Sequence, residues 1–290
     1  MNPPDFEQTE PGTTWVVPIS NSAPIELAEL RETAYYRELR PYIKQRVARI
    51  GKTDVLHFMV GDEKPLDRSD RFYVCLDFIV GDIFRNVHSR QWIKTQMAAL
   101  SRLRQVDSVG AHFLYRSYIN ELVVMMERLQ RITALLVMGF GEGSFVKSCE
   151  EHILGFFHPL LFKKRNENHH GLYLGYANSH EIEQAVRDVT DKVSRTRALT
   201  LFRSAIAREL AWFEVTEKAM ATFLHAFFEN MHSGLKAAGG YQDPARLPVK
   251  FDLQTTLRST LRKKHKHDEV FKARNPVKRS KKTGDGGTIA

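Results

Sequence analysis

Residues 165 to 171 read Arg-Asn-Glu-Asn-His-His-Gly. A guanidinium stays charged at any ordinary pH and offers a planar fork that matches phosphate oxygens, while an imidazole gives and takes protons near neutrality. Set a few residues apart, these groups suit the gripping or cleavage of a phosphodiester. Arg165 would bind the phosphoryl oxygens, and His169 and His170 would move protons. The plainer reading is a polar interhelical loop, in which the same cationic side chains face helix carbonyls and solvent.

Other chemistries are poorly represented. Arg85-Asn86-Val87-His88 repeats the residue types, with Asp82 one helical turn before Asn86, but reads as the end of one helix and the start of the next. His265-Lys266-His267 and His169-His170 lack the carboxylate or thiolate companions of a zinc set, and no HExxH is present, so neither a metal nor any other cofactor is expected. Gly139-Phe140-Gly141-Glu142-Gly143 follows a helical pattern and reads as a helix stop, not a nucleotide loop, and Gly141-Glu142-Gly143-Ser144 is not a hydrolase elbow. Cys75 and Cys149 sit in apolar surroundings without CxxC spacing, which points to a reducing compartment.

The elements around the motif read as helices. Five prolines within residues 1–24 make an extended arm. From Ile25 to Ile50 the apolar spacing gives two helical pieces with a break before Pro41, and Phe72 to Phe84 fits either a helix or a buried strand. Trp92 to Val106 follows a helical stripe. Asp107 is a plausible N-cap for a helix running to about Met138, ended by the glycines. Ser144 opens a short helix through Phe157, after which Pro159 bends the chain ahead of the motif. Glycine and proline are absent from Ala177 to Ser233. A straight helix that long would reach about 80 Å, so a break near Thr196 to Thr200, a kink, or a helix shared across a dimer is expected.

Charge is concentrated at one end of the chain. Eleven of the 43 Lys and Arg and two of the 34 Asp and Glu fall between Arg258 and Lys282, leaving 32 of each sign elsewhere. Arg262, Lys263, Lys264, Lys266, Lys278, Arg279, Lys281 and Lys282 are the candidate nucleic-acid contacts of this tail, and its Lys-Arg-Ser-Lys-Lys run also fits a nuclear address. The N-terminus lacks the pattern of an export signal and no apolar run reaches spanning length, so a cytoplasmic protein without a membrane partner is expected.

An arginine followed by Asn and then, after four intervening residues, by His, set within a helical bundle, resembles the HEPN superfamily. Arg165, Asn166 and His170 match its Arg-x4-6-His pattern, and the resemblance covers roughly residues 107–235. It implies an all-α, up-down bundle of HEPN type, with additional N-terminal helices and a disordered basic C-terminal tail. The implied segments are an arm at 1–24, an N-terminal helical region at 25–106, the bundle at 107–240, and a linker and tail at 241–290. It also implies a homodimeric, metal-independent endoribonuclease or RNA-targeting defence effector, with Arg165 on the phosphate, His170 as acid or base, Asn166 orienting the scissile group, and His169 in reserve. An acidic or amide residue on a preceding helix, among Asn120, Glu121, Glu127, Glu150 and Glu151, would orient His170. The alternatives are a non-catalytic nucleic-acid-binding module and a protein-interaction scaffold.

Overall fold

The computed structural model describes residues 24–51, 55, 66–141, 143–169 and 176–238, with the side chains of 68, 144 and 162–169 outside the description. All elements among the described residues are helical: α1 (Ile25–Arg31), a π-helical turn (Tyr35–Leu39), α2 (Arg40–Ile50), α3 (Arg68–Leu100), α4 (Ser108–Phe140), α5 (Ser144–His169), α6 (Ser179–Arg187) and α7 (Lys192–Ala237). The chain divides into two units, Met1–Val249 and Lys250–Ala290, and every described residue lies in the first.

α7 is the spine of the bundle, and α1, the π turn, α3, α4, α5 and α6 all pack against it. Its 46 residues extend about 69 Å at 1.5 Å per residue. It starts at a reciprocal cap, in which Asp191 Oδ1 accepts from Ser194 N at 2.8 Å and Ser194 Oγ accepts from Asp191 N at 3.1 Å. The break expected near Thr196 to Thr200 therefore lies earlier, at residues 188–191. The two threonines stay helical, their hydroxyls donating to the carbonyls of Lys192 and Thr196, each at 2.9 Å. Apolar residues on the inner face then make the core: Tyr118 stacks on Phe213 at 3.8 Å between centroids, Phe156 on Phe223 at 4.5 Å, and Tyr35 meets Phe228 at 4.7 Å.

Residues 72–84 belong to α3, which runs unbroken through Arg85 to His88, so that constellation lies within a helix and not at a helix junction. Asp67 caps α3 and Asp107 caps α4, accepting from Asp70 N at 2.7 Å and Gly110 N at 2.8 Å. Gly141 ends α4 with φ of 81°, a conformation that favours glycine. At the N-terminal pieces the break falls at Glu32–Thr33 instead of next to Pro41. Thr33 Oγ1 accepts from Tyr36 N at 3.2 Å and Glu229 of α7 accepts from Ala34 N, while the missing N–H of Pro41 follows directly on the wide π turn.

α5 continues ten residues beyond Pro159, where a bend out of the helix is expected from sequence. A proline removes the bond to the carbonyl four residues back, here that of Gly155, and both residues are exposed, so water can serve that oxygen. α5 runs antiparallel to α7 in a fixed register: Cys149 meets Asn230 and Phe156 meets Phe223, seven residues along one helix for seven back along the other. At its start the two helices come so close that a Cβ on Gly234 would collide with Phe145. Gly234→Ala should thus be net destabilising, the overpacking of about 1–3 kcal/mol exceeding a helix-propensity gain of about 1 kcal/mol. In a Phe145→Ala background the same change should become neutral or favourable, as read by a denaturant double-mutant cycle.

Candidate functional site

The Arg-His motif lies at the C-terminal end of α5. Arg165, Asn166 and His169 occupy its last turns, and His170 lies outside the described residues. Arg165 and His169 are four apart in the helix, a spacing that places both positions on one face. Carried on unchanged, the α5–α7 register sets position 165 level with Glu214 and position 169 level with Leu210.

The chain is secured again seven residues after His169. Tyr176 is buried, lies edge-on to Phe202 at 6.2 Å and donates its hydroxyl proton to Ser108 Oγ at 3.0 Å, and Ala177 N donates to Glu209 Oε1 at 2.8 Å. Seven extended residues span at most about 25 Å, so the motif is confined to the end of the bundle formed by the start of α4 and the first half of α7. The basic tail residues, Arg262 to Lys282, lie outside the described residues.

Of the supporting polar residues, Asn120, Glu127, Glu150 and Glu151 are exposed, with Glu151 near Lys147 at 3.8 Å. Glu121 faces a different group: Asn86 Nδ2 donates to its carbonyl oxygen at 2.8 Å and also to its carboxylate. Arg85, by contrast, is exposed and paired with Asp82, and His88 is exposed. The Arg85–His88 constellation therefore splits, Asn86 being the one of its three polar side chains that is buried.

That amide is part of a buried charge chain that spacing alone does not reveal. Arg90, 0% exposed, donates from Nη1 to Glu26 at 3.0 Å and from Nε to Asn86 Oδ1 at 3.2 Å. One turn on, Lys94 meets Glu217 at 2.7 Å. Burial pushes the Glu121 carboxyl above the ordinary carboxylate range against the opposing pull of Arg90 and Asn86, and pushes Glu217 up against Lys94. The chain joins α1, α3, α4 and α7. Burial likewise raises the Cys75 thiol to about 12 and Cys149 to about 11, far from a reactive thiolate. Among the described residues no three His, Cys, Asp or Glu converge as a metal set, and no helix is long and apolar enough to cross a membrane.

Compared with known protein families, curated proteins and solved structures, the chain matches none.

Removing one partner of a buried ion pair strands the other. Arg90→Ala should lower unfolding free energy by about 3–5 kcal/mol in urea, whereas Glu26→Leu with Arg90→Met should lose much less. A carboxyl with a raised folded-state pKa holds its proton more tightly in the folded chain, so its contribution makes stability fall as pH rises from the unfolded value, about 4.3, through the raised one. Glu217→Gln should flatten that fall, measured by urea midpoints across the acidic range.

Proposed function

We propose that this chain is a metal-independent endoribonuclease of HEPN type, acting on RNA through Arg165, Asn166 and His170. The observation that supports the reading is that Arg165, Asn166 and His169 lie in the last turns of α5 and that the chain is anchored on the bundle again at Tyr176. A catalytic segment held at both ends by a rigid helical frame is what a positioned acid–base group requires. The all-helical architecture supports the same reading.

The chemistry runs as follows. The 2′-hydroxyl of the ribose loses its proton to a base and attacks phosphorus, the bond to the 5′ oxygen breaks, and that oxygen takes a proton from an acid. The products are a 2′,3′-cyclic phosphate and a 5′-hydroxyl. Arg165 offsets the charge that grows on the non-bridging oxygens, with Asn166 orienting the phosphate. His170 acts as acid or base, and a helix C-terminus favours the cationic form of an imidazole placed there. His169, on the α5 face that carries Arg165, is the second imidazole within reach along the chain. Two proton transfers call for two groups, supplied by these neighbours or by the same motif of a second copy across a homodimer.

Purified protein in EDTA should cut labelled RNA to cyclic-phosphate ends. Arg165→Ala and His170→Ala should each reduce the rate by about a hundredfold or more, with unchanged thermal unfolding. Intact RNA throughout, with protein shown to be folded, would sink the proposal. Retained cleavage in His170→Ala but not His169→Ala would transfer the acid–base role to the neighbour.

A further inference from the structure

α7 reaches well past the level at which α5 ends, and this overhang has an unusual charge pattern. From Lys192 to Arg208 it carries five basic residues and no acidic one. All five are exposed. The loop between α3 and α4 adds Arg102 and Arg104, also exposed, and is fastened to the same face by Arg203 Nη2, which donates to Leu103 O at 3.1 Å.

None of Arg102, Arg104, Lys192, Arg195, Arg197 and Arg203 has a carboxylate within ion-pair distance among the described residues. Elsewhere in the bundle Lys44, Arg46, Arg85, Arg90, Lys94 and Arg128 all do. The nearby acids are turned to other work: Asp107 and Asp191 cap helices, and Glu209 accepts from Ala177 N. Asp188, Asp191 and Glu181 are exposed, and Glu183 lies beside Val106 to Val109. Unneutralised like charges held together repel one another and so cost stability, a cost offset when an anion binds.

Lys192, Val193, Thr196, Arg197, Thr200 and Leu201 of α7 line an open depression of about 530 Å³. Its lining combines the exposed Val193 and the half-buried Leu201 with the cations Lys192 and Arg197. From Lys192 to Arg208 the track runs about 24 Å along the helix, enough for several successive phosphates of one strand. Tyr176, which limits how far the motif can stray, packs on Phe202 of this stretch.

We propose that this α7 overhang, with Arg102 and Arg104, is a docking track for the phosphate backbone of single-stranded RNA. It rests on the RNA reading above for the identity of the partner, and it holds the strand beyond the motif instead of cutting it. The track lies within the first unit of the chain and uses residues other than the basic ones of the tail.

The test uses the full chain and a 2′-O-methyl oligouridine, which lacks the attacking hydroxyl and reports binding alone. The triple variant Lys192→Gln, Arg195→Gln, Arg197→Gln changes only exposed side chains, and far-UV circular dichroism and thermal unfolding check its fold. It should bind about tenfold or more weakly at moderate salt, and the slope of log affinity against log salt should shrink by about 2, near 0.7 for each lost phosphate contact. A parallel variant with Lys263, Lys264 and Lys266 changed to Gln reports the tail. Unchanged affinity and slope in the triple variant, loss only in the tail variant, or no binding by wild type overturns the track. So does loss of binding to polyglutamate with RNA binding intact, which would make the partner an acidic protein. Wild type that binds the probe through the track but never cleaves unmodified RNA keeps the track and removes the catalytic reading. Cleavage with undiminished probe binding in the triple variant does the reverse.

Discussion

A guanidinium with no exposed surface cannot be left without anions, and Arg90 sets terms for much of the bundle. Its fork reaches Glu26 on α1 and Asn86 on its own helix, and Asn86 carries the contact to Glu121 on α4. Three helices are thereby indexed to one another by polar atoms whose mispairing would cost several kcal/mol, on the order of 3–5 for a stranded charge. Apolar packing alone would tolerate slippage of α3 against α4 by a turn. The next turn of α3 repeats the device against α7 through Lys94 and Glu217. The level at which α5 ends along α7 is set separately, by Cys149 against Asn230 and Phe156 against Phe223.

The frame that results has a rigid half and an exposed half. Toward the C-terminus of α7, stacked aromatics from α4, α5 and the π turn fill its inner face, and Gly234 allows α5 to approach closely. Beyond the level of Leu210, α5 has ended, and α7 is accompanied by the short α6 and the Tyr176 anchor. Positions 165 to 169, which end α5, fall where the bundle thins in this way.

How far the sequence discloses this differs element by element. Helices α4 and α7 carry local signals that tertiary structure does not override: Asp107 and Asp191 as caps, Gly141 as a stop, and long apolar stripes between them. Pro159 and Pro41 mislead because proline forbids a helix only where the freed carbonyl is buried or the turn cannot widen, and neither condition is visible in a one-dimensional pattern. The break at Thr33 is hidden for a related reason, since it is completed by Glu229, nearly two hundred residues away. Residues 72–84 are ambiguous because they are buried almost all round, which erases both periodicities. Arg90 is the clearest loss: an arginine in a polar stretch reads as solvated until the facing Glu26 is known.

The charge pattern shows the same limit from another side. Counting over the whole chain assigns the positive excess to the tail and leaves a neutral body, a correct sum that conceals how the body's charges are arranged. Some of the body's cations are paired, as in Lys44 with Asp77 and Arg46 with Asp70, whereas those of the α7 overhang have no carboxylate within ion-pair distance among the described residues. A protein surface under no demand but solubility gains nothing from such segregation, since interspersed charges lower self-repulsion. Segregated cations beside a segment with an arginine and two histidines are economical if one polyanion must meet both. On that argument the proposed motif and the cationic stretch of α7 would serve one polyanion together.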